Sequence, residues 1–473
     1  MTESDRKLFI VSNRLPIIIG VEDDQWKVNP SSGGLITALA PLMKKNHGTW
    51  LGWPGCGPEA PVEELLEKYS REQEYTLKSV AITDVEVEHY YRGFSNQTIW
   101  PLFHDLLGYC SFDAENWNYY NRVNERFAAE VVKLIGPDHF VWIHDYQLIL
   151  VAHYLRELKA NLHLNFFLHI PFPACDLLQR MPWRSEIVYG LLQYDHLGFQ
   201  TNHDRRNFIQ CVKTMIPEAS VKGYRQQSEV RLEGRTIKLG TYPISIDFHE
   251  FNDFAASKEV ADAAWFVHEN LPSRKLVLGV DRLDYTKGIP ERFLAFERAL
   301  EKYPDLHRHI SLVQIVVPSR TKVPEYRDLK EVLDTLSGRI NGRFSRQGWV
   351  PIHYMFRELN RTQLLGYYRA CEVALITPLR DGMNLVAKEY CASSVENDGI
   401  LILSEFAGAA DQLQKGALMV NPYDLEGTAD AIYAAFVMTE EERRRRMRTL
   451  RGEIRRNDVQ RWIEWFLKSD EGG

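Results

Sequence analysis

The most informative part of the chain is residues 377–390, where a strand, a turn and a helix start follow one another. An apolar run over 373–376 breaks at Pro378, a polar turn reaches Asp381, and helix-forming residues resume at Asn384. The first N–H groups of a helix lack partners within it and lie at the positive end of its dipole, so they suit a phosphate or diphosphate. Because the stretch has no glycine-rich phosphate fingerprint, a strand–loop–helix unit without a ligand is the alternative.

Three cationic side chains follow the ends of two other apolar runs in the same half of the chain. Arg282 and Lys287 lie in the polar turn after 275–280, and Arg320 follows 310–317. Arginine binds an anion through two parallel N–H groups, whereas lysine acts as a point charge. A surface ion pair is the alternative for any one of them. Together with the helix start described above, Arg282 and Lys287 predict a diphosphate site.

In the first half of the chain, Arg14, Asp145 and His169 each stand at or just after the end of an apolar run that is typical of a buried strand. Parallel strands place their carboxyl ends at one edge of the sheet, and ligands bind at that edge. We therefore expect these three side chains to lie along one rim. The runs that carry them are 8–12, 140–145 and 164–170.

Two other segments of the first half admit both a structural and a binding interpretation. Gly33 and Gly34 precede a predicted helix, where they permit either close approach of the backbone to a ligand or a tight turn without one. Aromatic residues dominate 89–100, which favours a core segment. Interleaved polar residues such as Arg92 and Asn96 keep a polar-lined pocket as the competing interpretation.

Length and periodicity predict the architecture. A chain of 473 residues exceeds one ordinary core, so we expect two domains, with the crossing near 241–247. Buried strands alternate with helical segments, such as one over 174–192, which predicts an α/β fold of doubly wound parallel sheets. The charge run over 440–456 predicts a helix with a solvated face. Strands of the second half are predicted at 275–280, 310–317, 373–376, 400–404 and 418–420.

Composition narrows the class of protein and its partners. A net charge of −7 argues against nucleic-acid binding by bulk electrostatics. No signal-peptide core and no apolar stretch long enough to cross a bilayer are visible, so we expect no membrane partner. The six cysteines show neither C-x-x-C nor zinc spacing, which predicts reduced thiols and a cytoplasmic protein. A homo-oligomer is compatible with the sequence, which does not define the oligomeric state.

Many separate motifs along the chain together resemble trehalose-6-phosphate synthases, in the same order and from about residue 8 to residue 467. The resemblance implies an α/β fold of the GT-B type, with two Rossmann-like doubly wound domains facing a central cleft. It implies an acceptor domain over 1–243, a nucleotide-sugar domain over 244–455, and a C-terminal helix over 456–473 that packs back on the first domain. The motifs are 12–14, 32–34, 91–100, 142–146, 167–173, 198–201, 282–288 and 380–390.

The activity implied by the resemblance is transfer of glucose from UDP-glucose to glucose 6-phosphate with retention, giving trehalose 6-phosphate and UDP. Arg14, Tyr91, Trp100 and Arg320 would hold the acceptor, with both arginines and Tyr91 on its phosphate. Asp145 would bind acceptor hydroxyls near the reacting centre. No metal or other cofactor is implied.

The resemblance assigns the donor contacts as well. His169 and Asp381 would bind the transferred glucose, Arg282 and Lys287 the diphosphate, and Glu389 the ribose. The remaining implied donor contacts are Gly33, Gly34, Gly382, Met383, Asn384, Leu385 and Val386. The implied catalytic set is Asp145, His169, Arg282, Lys287 and Asp381.

Three points stay open at this stage. The acceptor is the first, since a glucosylglycerol-phosphate synthase would use glycerol 3-phosphate, although Arg14, Tyr91 and Trp100 favour a hexose phosphate. A catalytically silent regulator that binds the same sugars is the second alternative, and the intact Asp145 and His169 argue against it. The third is the nucleotide, because the sequence does not separate UDP from ADP or GDP. No carboxylate pair stands out for double displacement, so the resemblance points to front-face transfer with Asp145 as a positioning group.

Overall fold

The computed structural model describes residues 7–22, 25–30, 34–57, 59–136, 138–158, 162–223, 227–271, 275–320 and 323–471. The chain divides into two units, one formed by Met1–Pro243 with Glu464–Gly473 and the other by Ile244–Ile463. Within the described residues, no helix combines the length and the apolar content that crossing a bilayer requires.

The first unit is built on one large sheet. Its strands are β1 (Lys7–Arg14), β2 (Ile17–Glu22), β3 (Gln25–Pro30), β4 (Thr49–Trp53), β5 (Thr76–Ser79), β6 (His139–His144), β7 (Leu164–Phe167), β8 (His196–Phe199), β9 (Ser220–Lys222), β10 (Gln227–Leu232) and β11 (Arg235–Thr241). Nine of them form the sheet in the order β5-β4-β1-β6-β7-β8-β11-β10-β9, while β2 and β3 form a separate hairpin. The three strands that end near Arg14, Asp145 and His169 are neighbours, as the expected common rim requires.

The large sheet departs from the parallel prediction at one edge, where β9, β10 and β11 pair antiparallel. A two-residue turn joins β10 to β11, and its residues Glu233 and Gly234 have φ of 51° and 75°. Positive φ at both positions is the requirement of a type I′ hairpin. The strand β10 alternates exposed and buried residues, as a strand with one covered face does.

Helices cover this sheet and include one unexpected segment. They are α1 (Gly34–Asn46), α2 (Val62–Gln73), α3 (Asp84–Glu86), α4 (Trp100–Phe103), α5 (Ala114–Leu134), α6 (Val151–Leu158), α7 (Cys175–Leu178), α8 (Arg184–Leu191) and α9 (Asn202–Met215). The helix predicted over 174–192 is therefore split, because Pro182 has no N–H to continue it. The aromatic segment forms a π-helix over Val87–Ile99, a rare geometry that is frequent at functional sites.

The second unit is a six-stranded, entirely parallel sheet in the order β14-β13-β12-β15-β16-β17. Its strands are β12 (Lys275–Arg282), β13 (Ile310–Val317), β14 (Ile352–Phe356), β15 (Val373–Ile376), β16 (Ile400–Ser404) and β17 (Leu418–Val420). The five predicted strands are present. The strand β14 was not among the predicted ones, because it is a half-buried edge strand without a continuous apolar run. Together the two units confirm the predicted α/β class with Rossmann-like sheets.

The helices of the second half follow the strands in alternation. They are α10 (Phe248–Ala255), α11 (Lys258–Asn270), α12 (Ile289–Lys302), α13 (Pro324–Phe344), α14 (Arg361–Ala370), α15 (Leu385–Ser393), α16 (Ala410–Leu413), α17 (Leu425–Val437), α18 (Glu440–Arg456) and α19 (Val459–Glu471). In the first unit, Phe466 of α19 stacks on Trp142 and His196, with ring centroids 4.3 and 4.4 Å away. A side chain at Gly198 would collide with this ring, since its Cβ would lie 2.7 Å from Phe466.

The charge run forms the helix α18 as predicted, but its face is not solvated throughout. Arg451 is only 7% exposed and donates hydrogen bonds to the carbonyls of Cys391 and Ala392, at 3.0 and 2.6 Å. It also donates to Oδ1 of Asn252 at 2.6 Å. These carbonyls belong to the last turn of α15, where a cation satisfies acceptors that the helix leaves open. The sequence pattern does not separate this buried arginine from its solvated neighbours.

A buried ionic network lies beneath the carboxyl ends of β12 and β13. Arg292 of α12 is fully buried and bonds the carboxylate of Asp281. It also donates to Oε1 of Gln314 at 2.9 Å, to Oγ1 of Thr377 at 3.1 Å and to the carbonyl of Lys287 at 3.3 Å. One guanidinium thereby joins two neighbouring strands to both turns that the sequence predicted as binding elements.

We expect Arg292→Ala to lower the free energy of unfolding by about 3–5 kcal/mol, because it leaves the Asp281 carboxylate buried without its cation. The measurement is the midpoint of urea-induced unfolding of the full chain. Arg298→Ala is the matched control on the same helix, since its partners Glu301 and Glu426 are exposed to solvent. Its midpoint should stay close to that of the parent, and an equally small shift for Arg292→Ala would contradict the assigned role of the network.

Candidate functional site

Arg14 ends β1 beside two aromatic rings. Its guanidinium carbon lies 3.9 Å from the centroid of Trp53 and 6.0 Å from that of Tyr91. Surrounding protein atoms desolvate the guanidinium in part and lower its pKa, while the residue keeps an open side toward water. Gly55 provides the room, because a Cβ there would lie 1.8 Å from Nη1 of Arg14. The result is a charged, positioned fork that suits a phosphate.

Hydrogen bonds fix the π-helix that carries Tyr91. Asn96 donates to the carbonyl of Tyr91 at 2.6 Å, and its own Oδ1 accepts from the hydroxyl of Tyr146 at 2.9 Å. The ring of Tyr146 lies 5.6 Å from that of Trp100, which is buried at the start of α4. Tyr90 of the same segment donates to Oδ1 of Asn13, next to Arg14, at 2.9 Å. The core interpretation of the aromatic segment is therefore confirmed, since buried rings and amides position Tyr91, whereas the polar-lined pocket stays a prediction.

Asp145 follows β6 in a backbone conformation that is almost restricted to glycine, with φ 76° and ψ 168°. Such a conformation costs on the order of 1–3 kcal/mol and is typical of functional sites. The amide of Asp145 donates to the carbonyl of Phe167 at 2.9 Å, and its Oδ1 accepts from the amide of His169 at 3.2 Å. The carboxylate is thus held by the neighbouring strand end. The sequence places Asp145 at the rim but gives no sign of this conformation.

His169 contacts a second histidine that the sequence analysis did not select. Nε2 of His169 lies 3.1 Å from Nδ1 of His144, the last residue of β6. Desolvation lowers the pKa of His169 to about 3, and burial followed by the neighbouring ring lowers the pKa of His144 well below its usual value. Both rings are therefore neutral near pH 7, so one nitrogen of the contact donates and the other accepts. His144 orients the ring of His169.

In the second unit, the turn after β15 meets the turn after β12. Nζ of Lys287 lies 2.7 Å from Oδ2 of Asp381, and Asn384 donates to the same oxygen at 3.1 Å. The amide of Leu379 donates to the carbonyl of Thr286 at 2.8 Å, which joins the two turns through the backbone. The sequence-predicted lysine and aspartate are therefore brought together as an ion pair with little exposure to water.

Asp284 is a buried carboxylate among the three cations that the sequence analysis selected. Its Oδ1 accepts from the amide and the hydroxyl of Thr286 at 3.0 and 2.9 Å, and its Oδ2 lies 3.6 Å from Nη1 of Arg320. Burial alone would raise the pKa of Asp284, but Arg320, Lys287 and Arg282 outweigh burial and lower it. Asp284 therefore stays charged and holds the cations in place. The signal for Asp284 in the sequence is its position between Arg282 and Lys287, in the turn already predicted to bind the diphosphate.

Arg320 follows β13 with φ 49°, a second left-handed backbone among the candidate residues. It donates to the hydroxyl of Tyr326 at 2.6 Å. The structure thus brings Arg320 together with the donor-side cations of the second unit, whereas Arg14, Tyr91 and Trp100 belong to the first unit.

The helix α15 begins at the predicted anion site. Asn384, with φ 73°, caps it by accepting from the amide of Ala387 at 3.2 Å. Within the part of the chain that the structure describes, the amides of Leu385 and Val386 have no hydrogen-bond partner. Two backbone donors and the positive end of the helix dipole therefore face outward at this point. Glu389 lies one turn further on.

Two polar residues of α15 are held by hydrogen bonds inside the second unit. Glu389 accepts from the hydroxyl of Tyr368 at 2.8 Å, and burial raises the pKa of the Glu389 carboxyl despite that bond. Lys388 is fully buried and donates to the carbonyl of Ile244 and to Oε1 of Gln412, both at 2.7 Å. Desolvation lowers the pKa of Lys388 to about 7. Lys388 was not among the predicted site residues, because a lysine within a helical segment is typically exposed.

Of the glycine-rich contacts, Gly34 is the first residue of α1, whereas Gly33 lies outside the described residues. Gly382 packs against Gly408, where a Cβ would lie 1.9 Å from the carbonyl oxygen of Gly382. Met383 is buried beside this contact. In the described ranges, no three His, Cys, Asp or Glu side chains are grouped so as to hold a metal ion.

Sequence comparison relates nearly the whole chain to one family. Residues 6–471 match the model of glycosyltransferase family 20. A trehalose-6-phosphate synthase of Mycolicibacterium gilvum is 41% identical over 466 residues, which cover 97% of this chain and 92% of that protein. One of Mycobacterium sp. strain JLS is 42% identical over 471 residues, covering 98% of this chain and 96% of the relative.

Structural comparison gives the same answer. An α,α-trehalose-phosphate synthase (UDP-forming) of Burkholderia xenovorans, in complex with glucose-6-phosphate, superposes with a TM-score of 0.88 at 37% identity, covering 98% of this chain and 100% of that one. The E. coli protein bound with UDP-2-fluoro glucose superposes with a TM-score of 0.88 at 35% identity and 99% coverage of both chains. These matches confirm the GT-B fold class. With its cationic strand ends and its open helix start, this chain belongs to glycosyltransferase family 20.

Proposed function

We propose that this chain transfers glucose from UDP-glucose to glucose 6-phosphate with retention, giving trehalose 6-phosphate and UDP. The observation that carries the proposal is the start of α15, where the open amides of Leu385 and Val386 accompany the pair of Lys287 and Asp381. A nucleotide sugar fits such an arrangement. Its diphosphate is bound by cations and N–H donors, and the hydroxyls of its sugar donate hydrogen bonds to a carboxylate. The relatives described above, which match over nearly their full length, are trehalose-6-phosphate synthases.

On the donor side, Arg282, Lys287 and the helix start stabilise the charge that develops on the leaving diphosphate. Preorganised charges of this kind are often the largest contribution to catalysis. Asp381 and His169 bind the transferred glucose, and Glu389 binds the ribose. The remaining proposed contacts to the donor are made by backbone groups, those of Gly33, Gly34, Gly382, Met383 and Asn384.

The chemical step is a front-face displacement. The bond between the anomeric carbon and the diphosphate oxygen breaks, the anomeric oxygen of the acceptor forms the new bond, and the leaving oxygen takes the acceptor's proton. Asp145 binds acceptor hydroxyls as a positioning group, and the amide of His169 holds its carboxylate in place. The neutral ring of His169 donates or accepts a hydrogen bond without adding charge.

On the acceptor side, Arg14 and Tyr91 bind the phosphate and Trp100 lines the sugar. Arg320 is assigned as a further ligand of the same phosphate. The cation of Arg14 is positioned on one side by Trp53 and given space by Gly55. A phosphate bound to a planar guanidinium gains two parallel hydrogen bonds as well as charge.

The direct test is an assay of the purified chain with UDP-, ADP- and GDP-glucose against glucose 6-phosphate and glycerol 3-phosphate, with identification of the products. We expect trehalose 6-phosphate from UDP-glucose and glucose 6-phosphate, with unchanged turnover in EDTA because protein cations stabilise the diphosphate. Glucosylglycerol phosphate would favour the other transferase, no product would favour a regulator, and loss of turnover in EDTA would contradict the metal-free scheme.

All six cysteines are free thiols, which supports a cytoplasmic site of action.

Replacing Lys287 tests the donor site. We expect Lys287→Met and Arg282→Met each to lower kcat about 10²- to 10³-fold, the usual effect of losing one preorganised charge at a developing anion. The measurement is kcat with UDP-glucose at saturating acceptor. Lys302→Met on the exposed end of α12 is the control and should keep parental turnover. Parental turnover in both site variants would refute the diphosphate assignment.

Replacing Arg14 tests the acceptor site. We expect Arg14→Ala to raise the KM for glucose 6-phosphate about 10- to 100-fold, the equivalent of a charged hydrogen bond of roughly 1.5–3 kcal/mol, with little change for UDP-glucose. Gly55→Ala should act in the same direction, since Gly55 has φ 85° and its Cβ would collide with Arg14. Gly57→Ala serves as the control, since the atoms nearest to its Cβ belong to the flexible carboxylate of Glu59. Equal changes in both KM values would count against this placement.

A further inference from the structure

His144, the last residue of β6, is a fully buried histidine that contacts the ring of His169. It lies on the same face of the sheet as Ser12 of β1 and Phe167 of β7, its register partners on the two neighbouring strands. Its ring is tilted against that of Trp142, with the centroids 4.6 Å apart. Burial of an imidazole is costly unless its nitrogens find partners, so the partner of each nitrogen is informative.

Only one of the two nitrogens of His144 has a partner in the part of the chain that the structure describes. Nδ1 lies 3.1 Å from Nε2 of His169, whereas Nε2 of His144 is buried and has no hydrogen-bond partner. The hydroxyl of the neighbouring Ser12 is engaged elsewhere, since it donates to the carbonyl of Arg14 at 2.6 Å and accepts from Nε1 of Trp50 at 2.7 Å. The acceptor that the structure offers to the proton of His144 is therefore Nε2 of His169.

The two tautomers of His144 differ in what they leave unsatisfied. With its proton on Nε2, His144 would bury an N–H group without an acceptor. With the proton on Nδ1, it donates to His169 and leaves only a lone pair without a donor, which is the less rare of the two defects in protein interiors. Both rings are neutral, because burial lowers the pKa of each. A neutral His169 that accepts at Nε2 carries its single proton on Nδ1.

His169 is held at two points by consecutive residues. Oδ1 of Asp145 accepts from its backbone amide at 3.2 Å, and His144 contacts its ring. The ring also packs against Phe167, with the centroids 4.7 Å apart, while part of the residue stays open to water. Nδ1 of His169 is thus a donor with a fixed direction, and any partner that it meets must offer an acceptor.

We propose that His144 is a positioning residue of the transferase, which donates from Nδ1 to His169 and thereby makes Nδ1 of His169 a neutral donor to a hydroxyl oxygen of the transferred glucose. A neutral donor binds the sugar without placing a full positive charge beside an anomeric carbon that itself becomes positive in the transition state. The identity of the ligand rests on the proposed function. The direction of the hydrogen bond between the two histidines does not.

The first test is nitrogen-15 NMR of the ligand-free full chain, labelled at its histidines and measured at neutral pH, where protonated and bare ring nitrogens differ in chemical shift. The variants His144→Asn and His169→Asn assign the signals. We expect the proton on Nδ1 in both residues. In His144→Asp, which offers only an acceptor, a proton should appear on Nε2 of His169. In the control His153→Asn, at a half-exposed position of α6, His169 should keep its parental tautomer.

The second test is the kinetics of the same variants. His144→Asn keeps an N–H donor near the place of Nδ1, so kcat/KM for UDP-glucose should stay within about threefold of the parental value. His144→Asp should lower it about tenfold, the effect of one hydrogen bond, because His169 then either loses its Nδ1 proton or gains a charge. The KM for glucose 6-phosphate should change little, and His153→Asn should keep parental turnover.

Two results would overturn the proposal. One is a proton on Nε2 of His169 in the parent chain. The other is an equal loss of kcat/KM in His144→Asn and His144→Asp while thermal melting shows that both are folded, since a residue that only fills space would give this result. If His144→Asp does not fold, the tautomer of the parent and the turnover of His144→Asn still decide. A parent chain with the expected tautomers but no transferase activity would refute the proposed function and not the hydrogen bond.

Discussion

The buried guanidinium of Arg292 is the interaction on which the second unit's site depends. It bonds Asp281 on one strand, Gln314 on the next, the carbonyl of Lys287 and the hydroxyl of Thr377. Both turns that carry the proposed donor ligands therefore start from one fixed point. A buried ion pair is weak evidence for stability by itself, because desolvation offsets its attraction. Its consequence here is geometric, since removing one partner would release two loops at once.

The cations near the strand ends are positioned by partners within the protein before any ligand is considered. Asp284 is surrounded by Arg282, Lys287 and Arg320, and Lys287 also pairs with Asp381. In the first unit, the cation of Arg14 is held by aromatic faces instead of a carboxylate. A carboxylate partner fixes the position of a cation but occupies some of its N–H donors. Aromatic rings fix the position of the Arg14 guanidinium and leave its N–H donors available to an anion.

Three residues of the proposed site have left-handed or otherwise unusual backbone conformations. Asp145, Arg320 and Asn384 all have positive φ, although none is glycine. Such residues persist only where surrounding bonds over-determine them. For Asp145 those bonds come from Phe167 and His169 on the adjacent strand end. The unfavourable backbone conformation of Asp145 is consistent with a role in which its carboxylate must point in one fixed direction.

The amino-acid sequence alone determined which strand ends carry charge. A continuous run of apolar residues indicates a strand buried on both faces, and the polar residue that follows the run marks the end of that strand. It also determined the start of α15 and, through the order of its motifs, the family. The tertiary structure decided the partners. The contact of His144 with His169, the burial of Asp284, Lys388 and Arg451, and the π-helix under Tyr91 join residues or geometries that local pattern does not distinguish. The reason is physical: hydrophobic periodicity reports which side of an element is covered, whereas ion pairs and strained backbones depend on atoms supplied by distant segments of the chain.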